Sequence, residues 1–277
     1  MSGKLFVQGM GVTTVEWPRL AGLMAAVAPR HAWRARAEEM EAMDEEKVAG
    51  MEVVAALGVR AVHEALAMAG EGETSNENQL APPTESGGFT GGFGGALGEK
   101  TGMVFVSGWG MVDATVGYLE SMLAEGGKYA SPRHFSRSVY SSGPSVMAIA
   151  LGIRGPCETL VFDDEPVMRA LARAEAMLEM ERAERVVVCW ADQAGEIVSD
   201  LARRAAEKLG KREYRRYVEE GVGQGATAMV VARERGKWGL EWGMDESFNL
   251  NTIKVKPFPM DAAVRAAAGW LARTAGE

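Results

Sequence analysis

Cysteine and histidine are scarce in this 277-residue sequence: there are two Cys, at 157 and 189, and three His, with none after His134. A disulfide framework needs more Cys and an oxidising compartment, so Cys157 and Cys189, each in an apolar strand-like run, read as reduced structural thiols. No pair of His, Cys or carboxylate residues shows metal-ligand spacing, and nothing implies a bound metal or cofactor. Long apolar runs are missing as well. Nothing reaches the roughly 18 residues a membrane helix needs, and the opening MSGKLFVQGMG is too short and polar for a secretory leader. No membrane span and a cytoplasmic location are therefore expected. Basic excess is also absent: a net charge of -8 and a pI near 5.2 argue against a nucleic-acid footprint.

What remains is an ordinary globular composition, 47% apolar and 25% charged, long enough to bury one sizeable core. Short β-branched runs at Lys4 to Gln8, Gly102 to Val106, Glu158 to Phe162, Arg185 to Cys189 and Ala226 to Val231 alternate with helical apolar spacing. The helical stretches run roughly from Asp44 to Ala69, Met111 to Ala124, Pro166 to Arg182 and Ile197 to Leu209. This alternation predicts a single α/β domain over residues 1–277, its sheet mostly parallel with helices on both faces. Trp238 to Trp242, after the turn Glu234-Arg235-Gly236-Lys237, is expected to form a hairpin with the strand before it. A C-terminal helix is expected over residues 260–275, with Val264, Ala267, Trp270 and Leu271 on one side. Residues 71–100, with three Gly-Gly pairs among Ser, Thr, Asn and Pro, read as a flexible insertion. They lack the flanking strand, helix and Gly-Lys-Ser/Thr of a phosphate-cradling loop.

Five short motifs follow one another in a telling order: Gly9-Met10-Gly11-Val12 after the first strand, Ser107-Gly108-Trp109-Gly110 ending the second, Ala130 to Phe135 (ASPRHF), Ala148 to Pro156 (AIALGIRGP) and Gly223-Gln224-Gly225-Ala226. In register, over about 230 residues, they resemble the N-terminal region of β-ketoacyl synthases. The resemblance implies the N-terminal half of the thiolase fold, a five-stranded sheet of order 3-2-1-4-5. Its strand at Glu158 to Phe162 would be a dimer-facing edge, with Tyr140, Glu158, Thr159, Leu160, Val161 and Phe162 in the interface. In the whole fold two halves pack about shared central helices, so half of it is expected to leave an apolar layer uncovered.

The departures from that family concern chemistry. Counted without gaps from Gly155-Pro156, the position of the family's nucleophilic Cys falls on Asp164, with Asp163 and Glu165 adjacent, while Cys157 comes seven residues earlier. The family's two catalytic histidines and lysine have no counterpart, since no His follows His134. The three carboxylates precede Pro166, where they are suited to capping a helix N-terminus. A role in blocking or polarising an acyl pocket, or as an acid/base, is the alternative reading. The resemblance then implies a non-catalytic, chain-length-factor-like partner in bacterial fatty-acid, polyketide or polyene biosynthesis, shaping the acyl tunnel of an active ketosynthase. It would form a homodimer, or a heterodimer with a full-length ketosynthase, and an acyl carrier protein is a further possible partner, with His134 and Arg133 as contacts either to it or, the favoured reading, within the dimer. The competing readings are a stand-alone acyl-thioester hydrolase using Asp164 or Asp163, and an acyl-carrier-binding scaffold.

Overall fold

The computed structural model describes residues 5–15, 52–69, 97–124, 126–127, 129–161, 166–192, 196–209, 224–234 and 240–242. The expected C-terminal helix, residues 71–96 of the Gly-rich stretch, and Phe162, Asp163, Asp164 and Glu165 lie outside them. In chain order the elements are β1 (Leu5–Val15), α1 (Val53–Ala69), β2 (Thr101–Ser107), α2 (Val112–Ala124), α3 (Pro132–Ser138), α4 (Ser142–Leu151), β3 (Cys157–Val161), α5 (Pro166–Glu179), β4 (Arg185–Asp192), α6 (Glu196–Leu209), β5 (Gln224–Ala232) and β6 (Leu240–Trp242).

The strands form one six-stranded sheet of order β3-β2-β4-β5-β1-β6. β2 pairs parallel with both β3 and β4, whereas β5 runs antiparallel to both β4 and β1, and β6 antiparallel to β1. The sheet is therefore mixed rather than mostly parallel, and its order is not 3-2-1-4-5. The reason is non-local: β1 and β5 pair along nearly their whole lengths, from Phe6 opposite Ala232 to Val15 opposite Gln224, which places β1 outside β5 instead of beside β2. The expected hairpin is corrected on the same ground. With both edges of β5 taken by β4 and β1, β6 crosses to β1, placing Leu240 opposite Val7.

The central strands are buried on both faces, which is why they read as continuous apolar runs and not as alternation. All of β2 is buried, as is β4 beyond Arg185. The two faces separate by parity. Met103 and Phe105 of β2, Val187, Cys189 and Ala191 of β4, and Ala226, Ala228 and Val230 of β5 pack with α1 and α4 in the main core. On the other face Met177 of α5 approaches Gly102. Trp190 and Phe105 are fully buried, each contributing about 1.5–3 kcal/mol of transfer free energy. α1 is buried around most of its girth, through Val54, Ala55, Leu57, Val59, Ala61, Val62, Ala65 and Leu66.

Two of the motifs owe their glycines to close approach. Gly9 does not follow β1 but lies inside it, beside a bulge, and a Cβ there would sit 2.0 Å from the Ala65 carbonyl oxygen of α1. Gly155, just before Pro156, would place a Cβ 2.3 Å from the Thr101 carbonyl oxygen at the start of β2. α3 was not expected from apolar spacing. Its start is nonetheless written in Ser131-Pro132: the Ser131 hydroxyl caps the His134 N–H at 3.3 Å and Pro132 takes the first helical position.

Among its described residues α5 shows no uncovered apolar layer. The helix buries Ala170, Leu171, Ala174, Met177 and Leu178 and turns Arg169, Arg173 and Glu179 to solvent. α6 carries a surface ladder in which Asp200 pairs with Arg203 and Arg204, and Arg203 with Glu207. Among the described residues the exposed large apolar side chains gather instead between Leu119 and Ile149.

Candidate functional site

In open α/β sheets ligands gather beyond the carboxyl ends of parallel strands. Here those are the ends of β2, β3 and β4. Ser107 closes β2 and Asp192 closes β4, and both are buried. One oxygen of the Asp192 carboxylate accepts from the Ser107 hydroxyl at 2.7 Å, the Gly108 N–H at 2.8 Å and the Trp109 N–H at 3.2 Å. The Ser107 oxygen in turn accepts from the Gly110 N–H at 2.8 Å. The Ser-Gly-Trp-Gly motif is thus a turn folded around a buried carboxylate from the neighbouring strand. The sequence reading found the turn and missed Asp192, for which the only signal was an acidic residue at the end of an apolar strand.

Tyr140, expected in the interface with β3, has its ring packed on Gly110, where a Cβ would come within 2.5 Å of Cδ1. It therefore joins this turn to the surface formed by α2, α3 and α4. Large apolar side chains stand exposed on that surface: Leu123 is 71% exposed, Tyr129 73%, Ile149 62% and Phe135 54%. The rings of Tyr118 and Phe135 lie 5.6 Å apart and tilted, tying α2 to α3, as does the Thr115 hydroxyl, 3.3 Å from the Ser138 carbonyl oxygen. Behind it Glu52, at the head of α1, pairs with Arg137 of α3 at 3.3 Å. Burial, and then the neighbouring Glu52, hold the Asp113 carboxyl above the usual carboxylate value.

β3 is an edge strand. Among the described residues it pairs only with β2, with Cys157 opposite Met103 and Val161 opposite Ser107. Glu158, Thr159, Leu160 and Val161 are half-buried and Cys157 is exposed. Glu158 is held by a two-point bond from Arg173 of α5, Nε to Oε2 at 2.6 Å and Nη2 to Oε1 at 2.8 Å.

Of the residues expected to replace a catalytic apparatus, Asp163, Asp164 and Glu165 lie outside the described residues, as does the interface candidate Phe162; the elements on either side end at Val161 and begin at Pro166. Neither cysteine is in a disulfide. Cys157 opens β3; the residue as a whole is exposed, but partial desolvation of its thiol raises the pKa. Cys189 lies fully buried in β4, and burial pushes its thiol far up. A thiol in that state supplies no thiolate at neutral pH. His134 is exposed on α3, and His63 is half-buried on α1. Among the described residues no three His, Cys, Asp or Glu side chains are grouped to hold a metal ion, and no helix is long and apolar enough to cross a membrane.

Residues 97–203 match the family model of the β-ketoacyl synthase N-terminal domain. The match spans β2 to the middle of α6 and includes the Ser107, Ala130 and Ala148 motifs, while the motifs at Gly9 and Gly223 fall outside it. No match is found among curated proteins. Among solved structures the chain is similar to the ishigamide ketosynthase/chain length factor, at TM-score 0.55 and 15% identity over 83% of this chain and 62% of that one. It is similar also to a ketosynthase in complex with its chain length factor from Xenorhabdus doucetiae, at TM-score 0.55 and 10% identity over 97% of this chain and 92% of that one. A type II polyketide acyl-carrier protein in complex with its ketosynthase is a third, at TM-score 0.52 and 13% identity over 84% and 63%. The chain thus spans less than two thirds of the first and third of these and most of the second, and at such identities the likeness establishes the fold. Residues 97–203 thus match the β-ketoacyl synthase N-terminal domain, and the chain as a whole shares the fold of the ketosynthase and chain length factor structures.

Proposed function

We propose that this chain is a non-catalytic, chain-length-factor-like partner that pairs with an active ketosynthase and helps to shape its acyl tunnel. The observation that carries the reading is where its two thiols are. Cys157 begins β3 and Cys189 is sealed in β4, so neither of them is at the connection after β3, which reads Phe162-Asp163-Asp164-Glu165. A condensing enzyme needs an accessible thiolate at that connection, favoured by the helix that follows. Among the described residues the chain keeps an unpaired sheet edge and exposed large apolar side chains instead, the features through which a subunit works on a partner. The solved ketosynthase in complex with its chain length factor supports the same arrangement. An acyl carrier protein would then meet the assembled pair, as one meets the ketosynthase of the polyketide complex.

Co-expression with a complete ketosynthase tests this. The two chains are expected to co-purify in a fixed ratio. Intact-protein mass spectrometry of this chain after incubation with acyl thioesters should show no adduct. A stable acyl adduct at Asp163, Asp164 or Cys157, or purification of the chain free of the ketosynthase, would overturn the reading.

A further inference from the structure

The helices of the main core and the hairpin of α2 and α3 differ sharply in burial. α4 buries Gly143, Pro144, Met147, Ala150 and Leu151 within ten residues. α2 and α3 fully bury none of theirs, over thirteen and seven residues. Among the described elements α2 packs chiefly on α3, through the tilted Tyr118 and Phe135 rings and the Thr115 hydroxyl. A Cβ added at Gly117 in the middle of α2, or at Gly126 and Gly127 beyond its end, would meet nothing within 4 Å. Both roots of the hairpin are nonetheless fixed. Met111 is buried against Gly143 of α4, where an added Cβ would come within 2.6 Å of the Met111 Cε, and the Tyr140 ring rests on Gly110. A charged tie then joins the hairpin to α1. Arg137 of α3 reaches Glu52 Oε1 with Nη1 at 3.3 Å, and both side chains are half-buried.

We propose that residues 112–139 form an arm that opens from the body as one unit while the sheet stays folded, with the Glu52–Arg137 ion pair as its latch. Removing α4 from the core would expose buried apolar side chains and amounts to unfolding, whereas lifting the arm exposes half-buried ones. Off the body neither helix lasts, since helices this short are marginal in water and Gly117 weakens the longer of the two. Glu52 stays behind when the arm lifts. Its carbonyl oxygen accepts from the Ala55 and Ala56 N–H groups at 2.9 and 3.0 Å, which holds it to the first turn of α1. The arm carries Leu119, Leu123, Tyr129, Phe135 and Val139, all exposed, so the latch governs how these side chains are presented. The inference does not depend on the partner reading above.

Amide hydrogen exchange of the full chain, followed peptide by peptide by mass spectrometry, tests this. In the parent the arm is expected to exchange at least about tenfold faster than α4 and β4. Arg137→Met is expected to quicken the arm about fivefold and to leave α4 and β4 unchanged. Glu52→Gln and the double variant should match Arg137→Met within about twofold, because each removes the same pair. Gly117→Ala fills open space and favours the helix, so it is expected to slow the arm about threefold. That variant decides the matter if Arg137→Met folds poorly. An arm that exchanges no faster than α4 overturns the separate opening, as does Gly117→Ala without effect on it. The latch is overturned if Arg137→Met changes nothing, or quickens α4 and β4 as much as the arm. It is overturned too by a double variant whose effect is the product of the two single ones, for then the residues act separately.

Discussion

At the scale of single residues, two carboxylates sit in opposite circumstances. Asp192 is 1% exposed and gathers three donors onto one oxygen, from the Ser107 hydroxyl and the Gly108 and Trp109 N–H groups. Asp192→Ala would strand the Ser107 hydroxyl and two backbone N–H groups in a buried place. Its expected cost is about 2–4 kcal/mol in urea unfolding. Asp113 is instead a half-buried carboxyl whose pKa is raised by burial and then by Glu52. A carboxyl whose folded pKa exceeds its unfolded one binds more protons folded than unfolded across that window. Stability is therefore lost as pH rises from the ordinary value of 3.8 through the raised one. Asp113→Asn removes the loss, so the variant should melt higher than the parent at pH 7, with the gap closing towards pH 4. An equal gap at both values would assign the effect to packing or to the α2 dipole instead.

At the scale of elements, the two close approaches join what the chain separates. Gly155 lets the turn after α4 pass over the first residue of β2, where any Cβ meets the backbone oxygen of Thr101 at 2.3 Å, and backbone cannot swing aside as a long side chain can. Gly155→Ala is expected to destabilise the fold by about 1–3 kcal/mol and to disturb β3 first, readable as faster amide exchange in β3 than in β4. Gly9 does the same for α1 on β1. Both glycines stood out in the sequence as parts of motifs, but their reason is a contact with residues more than fifty positions away in both cases. α3 shows the reverse situation. Seven residues without buried side chains give no apolar period to read, yet the cap at Ser131-Pro132 marks the start of the helix locally.

At the scale of the molecule, exposure is unevenly distributed. The outward side of α5 and the ladder on α6 are charged, whereas most of the exposed large apolar side chains among the described residues lie from α2 to α4, beside the edge of the sheet. If that edge carries the assembly, the buried surface is expected to reach at least about 1,200 Å² in total. Val161→Lys places a charge in the edge strand, so co-purification with the ketosynthase should be lost while far-ultraviolet circular dichroism stays that of the parent. A normally folded Val161→Lys that still assembles would move the interface away from β3. A variant with an altered spectrum would show that Val161 is needed for the sheet itself, and the exposed Ile149→Lys would then carry the test from α4.

Strands, most helices and the family resemblance were legible along the chain because they rest on local signals. Apolar runs such as Val186 to Trp190 are too short for a helix and too apolar for a surface, and the Gly-Pro and Ser-Gly-Trp-Gly motifs mark turns by their composition. That no cysteine falls in the connection after β3 was also legible, since it needs only counting from Gly155-Pro156. Strand order was not. Pairing of β1 with β5 joins residues some two hundred positions apart, and nothing in either strand's composition names its partner. The Asp192 turn, the seat of Tyr140 on Gly110 and the Glu158–Arg173 pair were hidden for the same reason. Each is a meeting of groups from different elements, and only the packing of those elements against one sheet determines which polar atoms become neighbours.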